Sequence, residues 1–268
     1  RALRISFLVS IVILVMFAVV MLVAFALKKT GWLPESSSAG SSAPPAATTT
    51  PPATTTMTEP ATTTATFAGG TTAIGSGQVA DSYFDDAAFI GDSRTQGLQL
   101  YTGLPNATFY ATQGLMVDTF FSKKFVKAGG GKITIPDAMK NQTFKKVYIM
   151  LGVNELGWAY EKVFIQKYGE VVDKVKELQP DAKIYVQSIL PVTKAKSDGD
   201  AIYNNTKISR YNELIEQMCR EKGVTYLHVA DAVGLDNGAL PAGSATDGVH
   251  LNREYCYKWL DYLKTHTK

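Results

Sequence analysis

The chain has 268 residues and a mass of 29.1 kDa, with 46% hydrophobic and 19% charged residues, which allows one or two folded domains and excludes wholesale disorder. Its formal charge is +3, but Arg1, Arg4, Lys28 and Lys29 lie in the first 29 residues with no acid among them, so the remainder carries about −1 and lacks the dense basic surface that a nucleic-acid groove needs. Two cysteines, Cys219 and Cys256, are too few for a disulfide scaffold and lack the spacing of a zinc site, so neither metal nor cofactor is expected.

The chain opens on four residues, 1–4, read as a cytoplasmic end. Ile5 to Leu27 is an uncharged apolar run. As a helix it would reach about 34 Å, enough to cross a bilayer core of roughly 30 Å. It reads as a single transmembrane anchor, with a cleaved signal peptide as the rival reading because Ala24-Phe25-Ala26 resembles a small-x-small cleavage site. Residues 28–81 follow as a disordered stalk. Between Ser36 and Gly75 nearly every residue is Ser, Thr, Ala, Pro or Gly, and such a segment cannot bury enough surface to offset the entropy of folding. A long tether of this kind points to a cell-membrane protein whose folded domain works outside the cytoplasm.

Residues 82–268 form the expected domain. Apolar runs at Ala87–Gly91, Thr108–Ala111, Val147–Leu151, Ile184–Ile189 and Val224–Val229 read as five strands, and the intervals between them carry helical patterns. Val163, Tyr168, Val171, Val172, Val175 and Leu178 mark one helix face, ended by Gln179-Pro180; Leu214, Ile215 and Met218 mark another, ended at Gly223. Alternation of strands and helices predicts an α/β fold, a mainly parallel sheet covered on both faces, with reactive groups at the carboxyl ends of its strands.

Three blocks carry chemistry at those ends. Gly91-Asp92-Ser93-Arg94 places a serine hydroxyl where the first strand turns into a helix, although a Gly-Asp-Ser turn also serves as a plain helix cap. Gly152-Val153-Asn154-Glu155 follows the third strand, and Gly114 follows the second; a side-chain NH2 and a backbone N–H there can face a developing oxyanion. Thr246-Asp247-Gly248-Val249-His250 precedes the last helix, with an acid three residues from a histidine, the spacing that lets a carboxylate orient an imidazole. The other histidines, His228 in an apolar strand and His266 in the terminal tail, read as structural.

Taken together and in this order, the blocks resemble the SGNH/GDSL hydrolase superfamily over about residues 84–265. The resemblance implies a flavodoxin-like α/β/α sandwich with a five-stranded sheet and metal-independent ester hydrolysis. It also implies Ser93, Asp247 and His250 as the catalytic triad, and Ser93, Gly114 and Asn154 as the oxyanion hole. Arg94 stands where the family name expects Leu, and Glu155 where Asp is usual. The chain looks like a membrane-tethered bacterial surface form of the superfamily. Trp158 and Tyr160, and the stretch Lys194 to Asn205, border the expected site with residues that suit an acylated carbohydrate better than a triglyceride. An acyltransferase using the same serine and a non-catalytic glycan-binding module are the competing readings.

Lys123, Lys124, Lys127 and Lys132 read either as a solvated face or as an attraction for an anionic polymer. Gly129-Gly130-Gly131-Lys132 is not a phosphate loop, because Ile133 replaces the required Ser or Thr. Cys219 and Cys256 read as buried thiols.

Overall fold

In a computed structural model, residues 77–267 are described; the expected membrane span 5–27 and the expected stalk up to residue 76 lie outside them. Among the described residues no helix is long and apolar enough to cross a membrane. Residues just before 82 already contact the folded domain: the Val79 amide donates to the Lys264 carbonyl at 3.1 Å, and Lys264 pairs with Asp81 at 2.7 Å.

After a 3-10 turn at Asp81–Phe84, the elements in chain order are β1 (Ala87–Gly91), α1 (Ser93–Thr102), β2 (Thr108–Ala111), a turn at Thr119–Phe121, β3 (Val126–Ala128) and β4 (Gly131–Ile133). Then come α2 (Ile135–Met139), β5 (Lys146–Met150), a turn at Val153–Glu155, α3 (Glu161–Leu178), β6 (Lys183–Gln187), α4 (Lys194–Gly199), α5 (Asn205–Lys222), β7 (Thr225–Leu227), a turn at Val229–Val233 and α6 (Arg253–Thr265). Five strands form one sheet in the order β2-β1-β5-β6-β7, every neighbouring pair parallel. Leaving the β3–β4 hairpin aside, this is the 2-1-3-4-5 order of flavodoxin-like sheets.

Alternate strand residues serve two separate cores. Ala88, Ile90, Val147, Ile149, Ile184 and Val186 pack with α3 and α5 through Tyr168, Val172, Ile215 and Met218. Ala87, Phe89, Tyr148, Met150, Tyr185 and Leu227 pack with α1 and α6 through Leu98, Trp259, Leu260 and Leu263. Strands buried on both faces have to be apolar throughout, which is why they read as continuous runs in the sequence. The buried face of α3 begins at Phe164, not at the expected Val163, which is 44% exposed. The stretch after Pro191 contains the short helix α4 rather than loop alone. His228 lies just beyond β7 rather than within the strand and is exposed, with its ring edge-on to Tyr226. Cys219 and Cys256 are buried free thiols.

Parallel register brings four aromatic residues into line on the α1/α6 face. Phe109, Phe89, Tyr148 and Tyr185 occupy paired positions on β2, β1, β5 and β6, and their rings stack at 4.7, 4.8 and 4.8 Å. Tyr148, in the middle, is fully buried and its hydroxyl has no protein partner. Truncation to Tyr148→Ala is therefore expected to cost about 3–5 kcal/mol. Tyr148→Phe, which removes only the unpartnered hydroxyl, should stay within about 1 kcal/mol of the parent. Urea unfolding of the two variants beside the parent chain checks both values.

Candidate active site

Gly91 ends β1 at a point with no room for a side chain: a Cβ there would lie 2.0 Å from Thr95 Oγ1 and 2.9 Å from the Met150 carbonyl oxygen. The chain can therefore turn straight from the strand into α1. Asp92 caps that helix, its carboxylate accepting from the Arg94 amide at 2.9 Å, and Ser93 becomes the first helical residue at the carboxyl edge of the sheet. The helix-cap reading of the Gly-Asp-Ser turn and its reading as a serine site thus hold together, through different residues.

From the opposite end of the sequence, His250 Nε2 comes to 2.8 Å from Ser93 Oγ, and His250 Nδ1 lies 2.6 Å from Asp247 Oδ2. The second oxygen of Asp247 accepts from the Val249 amide at 2.9 Å and from the His250 amide at 2.8 Å, so one carboxylate both folds its loop and faces the imidazole. Partial burial opposes the charge on Asp247, but these bonds and the adjacent His250 ring outweigh it and hold the carboxyl below the usual carboxylate range. Gly248 has φ +80°, and a Cβ on it would fall 2.7 Å from Thr193 Oγ1 and 2.8 Å from Lys196 Cβ. His250 and Asp247 are about half exposed and Ser93 is half-buried, so the line of three side chains faces solvent.

Gly114 and Asn154 follow β2 and β5, the two strands that flank β1. Gly114 takes φ +65° in a turn closed by the Leu115 amide donating to Thr112 at 3.1 Å. Asn154 donates from Nδ2 to the Leu115 carbonyl at 3.0 Å; a primary amide has two hydrogens, so this bond leaves one for another acceptor. Glu155 Oε1 accepts from the Val117 amide at 2.6 Å, which gives the unexpected Glu a definite function: it ties the loop after β2 to the turn after β5.

Arg94 was not among the expected site residues, yet it is buried directly behind Ser93. Its guanidinium donates to the Leu190 carbonyl and, at 3.4 Å, to the Pro191 carbonyl. The backbone continues to Thr193, whose amide donates to Gly248 at 2.9 Å in the histidine loop. Burial lowers the guanidinium to about 10 against the favourable field of Asp92, and burial raises the Asp92 carboxyl against the field of Arg94. The only signal in the sequence was a charged residue one step past the serine, where the family pattern expects Leu. Trp158 is partly buried against the core, whereas Tyr160 is 73% exposed. Among the described residues no cluster of His, Cys, Asp and Glu suits a metal ion.

Burial raises the Glu155 carboxyl to about 8, against the stabilising bond from the Val117 amide. In the native state it keeps its proton to a higher pH than in the unfolded chain, so its contribution to stability is complete at low pH and is lost as pH rises toward about 8. Glu155→Gln keeps the acceptor for Val117 and cannot ionise. Its stability relative to the parent should rise by on the order of a few kcal/mol between pH 5 and pH 8, read from urea unfolding at the two pH values. A constant difference across that range would contradict the buried, protonated carboxyl.

No curated protein matches the chain. Among solved structures it is similar to a protein from Streptococcus pneumonia described as a platelet activating factor, at TM-score 0.53 and 20% identity, covering 69% of this chain and 89% of that one. It is also similar to a protein from Slackia heliotrinireducens described as an SGNH hydrolase, at TM-score 0.51 and 16% identity, covering 68% and 98%. A GDSL-like lipase from Bacteroides thetaiotaomicron gives TM-score 0.50 at 16% identity, covering 69% and 88%. At these identities the likeness concerns the fold. The model of the GDSL-like Lipase/Acylhydrolase family matches residues 89–254, more than half of the chain and every one of the blocks described above, and the chain belongs to this family of ester-hydrolysing SGNH/GDSL enzymes.

Proposed function

We propose that the chain is a membrane-anchored serine esterase working outside the cytoplasm, and that it removes O-acyl groups from a cell-wall or surface carbohydrate through an acyl-enzyme. The observation that carries the chemistry is the continuous line Ser93 Oγ to His250 Nε2 at 2.8 Å and His250 Nδ1 to Asp247 at 2.6 Å. In this reading His250 takes the serine proton as Ser93 Oγ attacks the ester carbonyl, while Asp247 keeps the imidazole in the tautomer that presents Nε2. The oxyanion is met by the Ser93 and Gly114 amides and by the free hydrogen of Asn154 Nδ2. His250 then protonates the departing alcohol and activates a water to release the acid.

The carbohydrate preference is supported by the open setting of the triad, with Asp247 and His250 about half exposed, and by exposed Tyr160 near the turn that carries Asn154. Water has free access to an acyl group on such a serine, which favours hydrolysis over transfer. The anchor and its placement rest on the sequence of residues 5–27 and on the Ser/Thr/Pro-rich stretch after it.

The test is turnover of a small chromogenic acetyl ester by the 268-residue chain, with covalent labelling by a serine-reactive phosphonate. Ser93→Ala should abolish both signals. Asn154→Ala should keep the labelling site but lose about 10²–10³ in kcat. Absence of turnover and labelling in a cooperatively folded parent chain would overturn the esterase reading in favour of a glycan-binding module.

A further inference from the structure

The β3–β4 hairpin carries a charge arrangement that the esterase mechanism leaves unused. From Thr119 to Pro136 the chain has four lysines and no acid, in a chain whose residues beyond the first 29 are close to neutral. Gly129 and Gly130 both have positive φ, +54° and +84°, as a two-residue type I′ connection requires, and this turn sets Lys127 directly opposite Lys132 across the ladder. Side chains at directly opposed positions point to the same face and stand about 5 Å apart at Cβ, and like charges there destabilise the pair. Both lysines are exposed, and neither forms an ion pair among the described residues. The alternate positions, Val126 and Ile133, turn the other way and pack against the core.

Lysines also protect exposed strand edges from pairing with other chains, but a Lys–Glu pair would do this without repulsion. The nearby acid Asp137 is already taken by Lys140 and by the Thr134 hydroxyl, each at 2.8 Å. Residues 127–132 border an open hollow at the tip of the hairpin. At its base the hairpin is joined to the active-site loop, because Lys123 Nζ donates to the carbonyl of Gln113, the residue before Gly114, at 2.8 Å.

We propose that this hairpin is a docking surface for an anionic polysaccharide, a glycan bearing repeated carboxylate or phosphate groups, whose ester is thereby brought to Ser93. The assignment of that glycan as the substrate rests on the esterase reading; the docking itself does not. An anion lying between Lys127 and Lys132 relieves their repulsion, so the feature that costs the free hairpin stability becomes favourable in the complex. The contact is a surface one and is screened by salt.

The experiment uses the Ser93→Ala form of the 268-residue chain, with polygalacturonate as probe and dextran as its uncharged counterpart. Polygalacturonate should bind at 20 mM salt and dextran should not, and affinity should fall at least about tenfold at 500 mM salt. Lys127→Glu/Lys132→Glu should weaken binding at least about tenfold, and Lys127→Gln/Lys132→Gln by less, with cooperative thermal unfolding showing that each variant is folded. Lys145→Glu/Lys183→Glu makes the same charge change at the amino ends of β5 and β6 and should retain binding.

Equal loss in the Lys145/Lys183 variant, no binding to polygalacturonate at low salt, or a lysine-dependent preference for phosphatidylglycerol over phosphatidylcholine vesicles without polysaccharide binding would each overturn the proposal. Small-ester turnover by the parent chain is measured in parallel. Turnover without polymer binding sinks the docking surface alone, and lysine-dependent binding without turnover upholds the docking surface while sinking the esterase reading.

Discussion

Ser93 and His250 are 157 residues apart, and they meet because the loops that carry them are both fastened to one short segment, Leu190–Thr193. Arg94 holds the start of that segment by the Leu190 and Pro191 carbonyls, and Thr193 holds the histidine loop at Gly248. The segment runs on past the end of β6, where it has no neighbouring strand along most of its length. Two asparagines replace that strand: Asn212 bonds the amide and carbonyl of Ile189 at 2.7 and 2.9 Å, and Asn205 those of Val192 at 2.8 and 3.0 Å. Buried backbone groups must find partners, and here side-chain amides with the same donor and acceptor pattern provide them. A buried arginine is costly by itself, and the carbonyls at its head and the field of Asp92 offset only part of its desolvation. The departure from the family pattern at this position therefore adds a clamp behind the serine.

On the other side of Ser93 the loops after β2 and β5 are held together by neighbours in sequence, Asn154 to Leu115 and Glu155 to Val117. The donor side chain and the backbone turn at Gly114 are consequently tied to each other. The extra methylene of Glu relative to Asp lengthens the side chain that spans to Val117. Burial is the main cause of the raised Glu155 pKa, and the charge of Asp92, also buried, adds to it. The underside of the site is thus a set of buried polar groups whose bonds position the reacting face.

Much of this was legible in the chain. The five strands of the sheet were found within one or two residues; for the central β1, β5 and β6 this is because a strand buried on both faces has to be apolar along most of its length. The end of α5 was legible at Gly223, whose left-handed φ of +62° closes the helix as glycine commonly does. The β3–β4 hairpin was missed: with three residues in each strand and lysine at its centre, it has neither the length nor the apolar content of a core strand. The face of α3 was misplaced by one residue at its start because Val163 and Phe164 are both apolar, and only packing against the sheet decides which of them turns inward.

The sequence by itself determined what depends on residues close along the chain: the turns, the caps, the strand runs, and the Asp247–His250 pair, whose members are three residues apart in one loop. These arrangements follow from local backbone geometry and short-range hydrogen bonding, and residue type reports on both. Only the tertiary structure decided that this pair meets Ser93, that Arg94 and Glu155 are buried beneath the site, and that Lys127 and Lys132 face each other. Each of these depends on which strands become neighbours and on how much water is left between distant segments. A charged residue has the same identity in the sequence whether it ends on the surface or in the interior, and packing alone sets that difference.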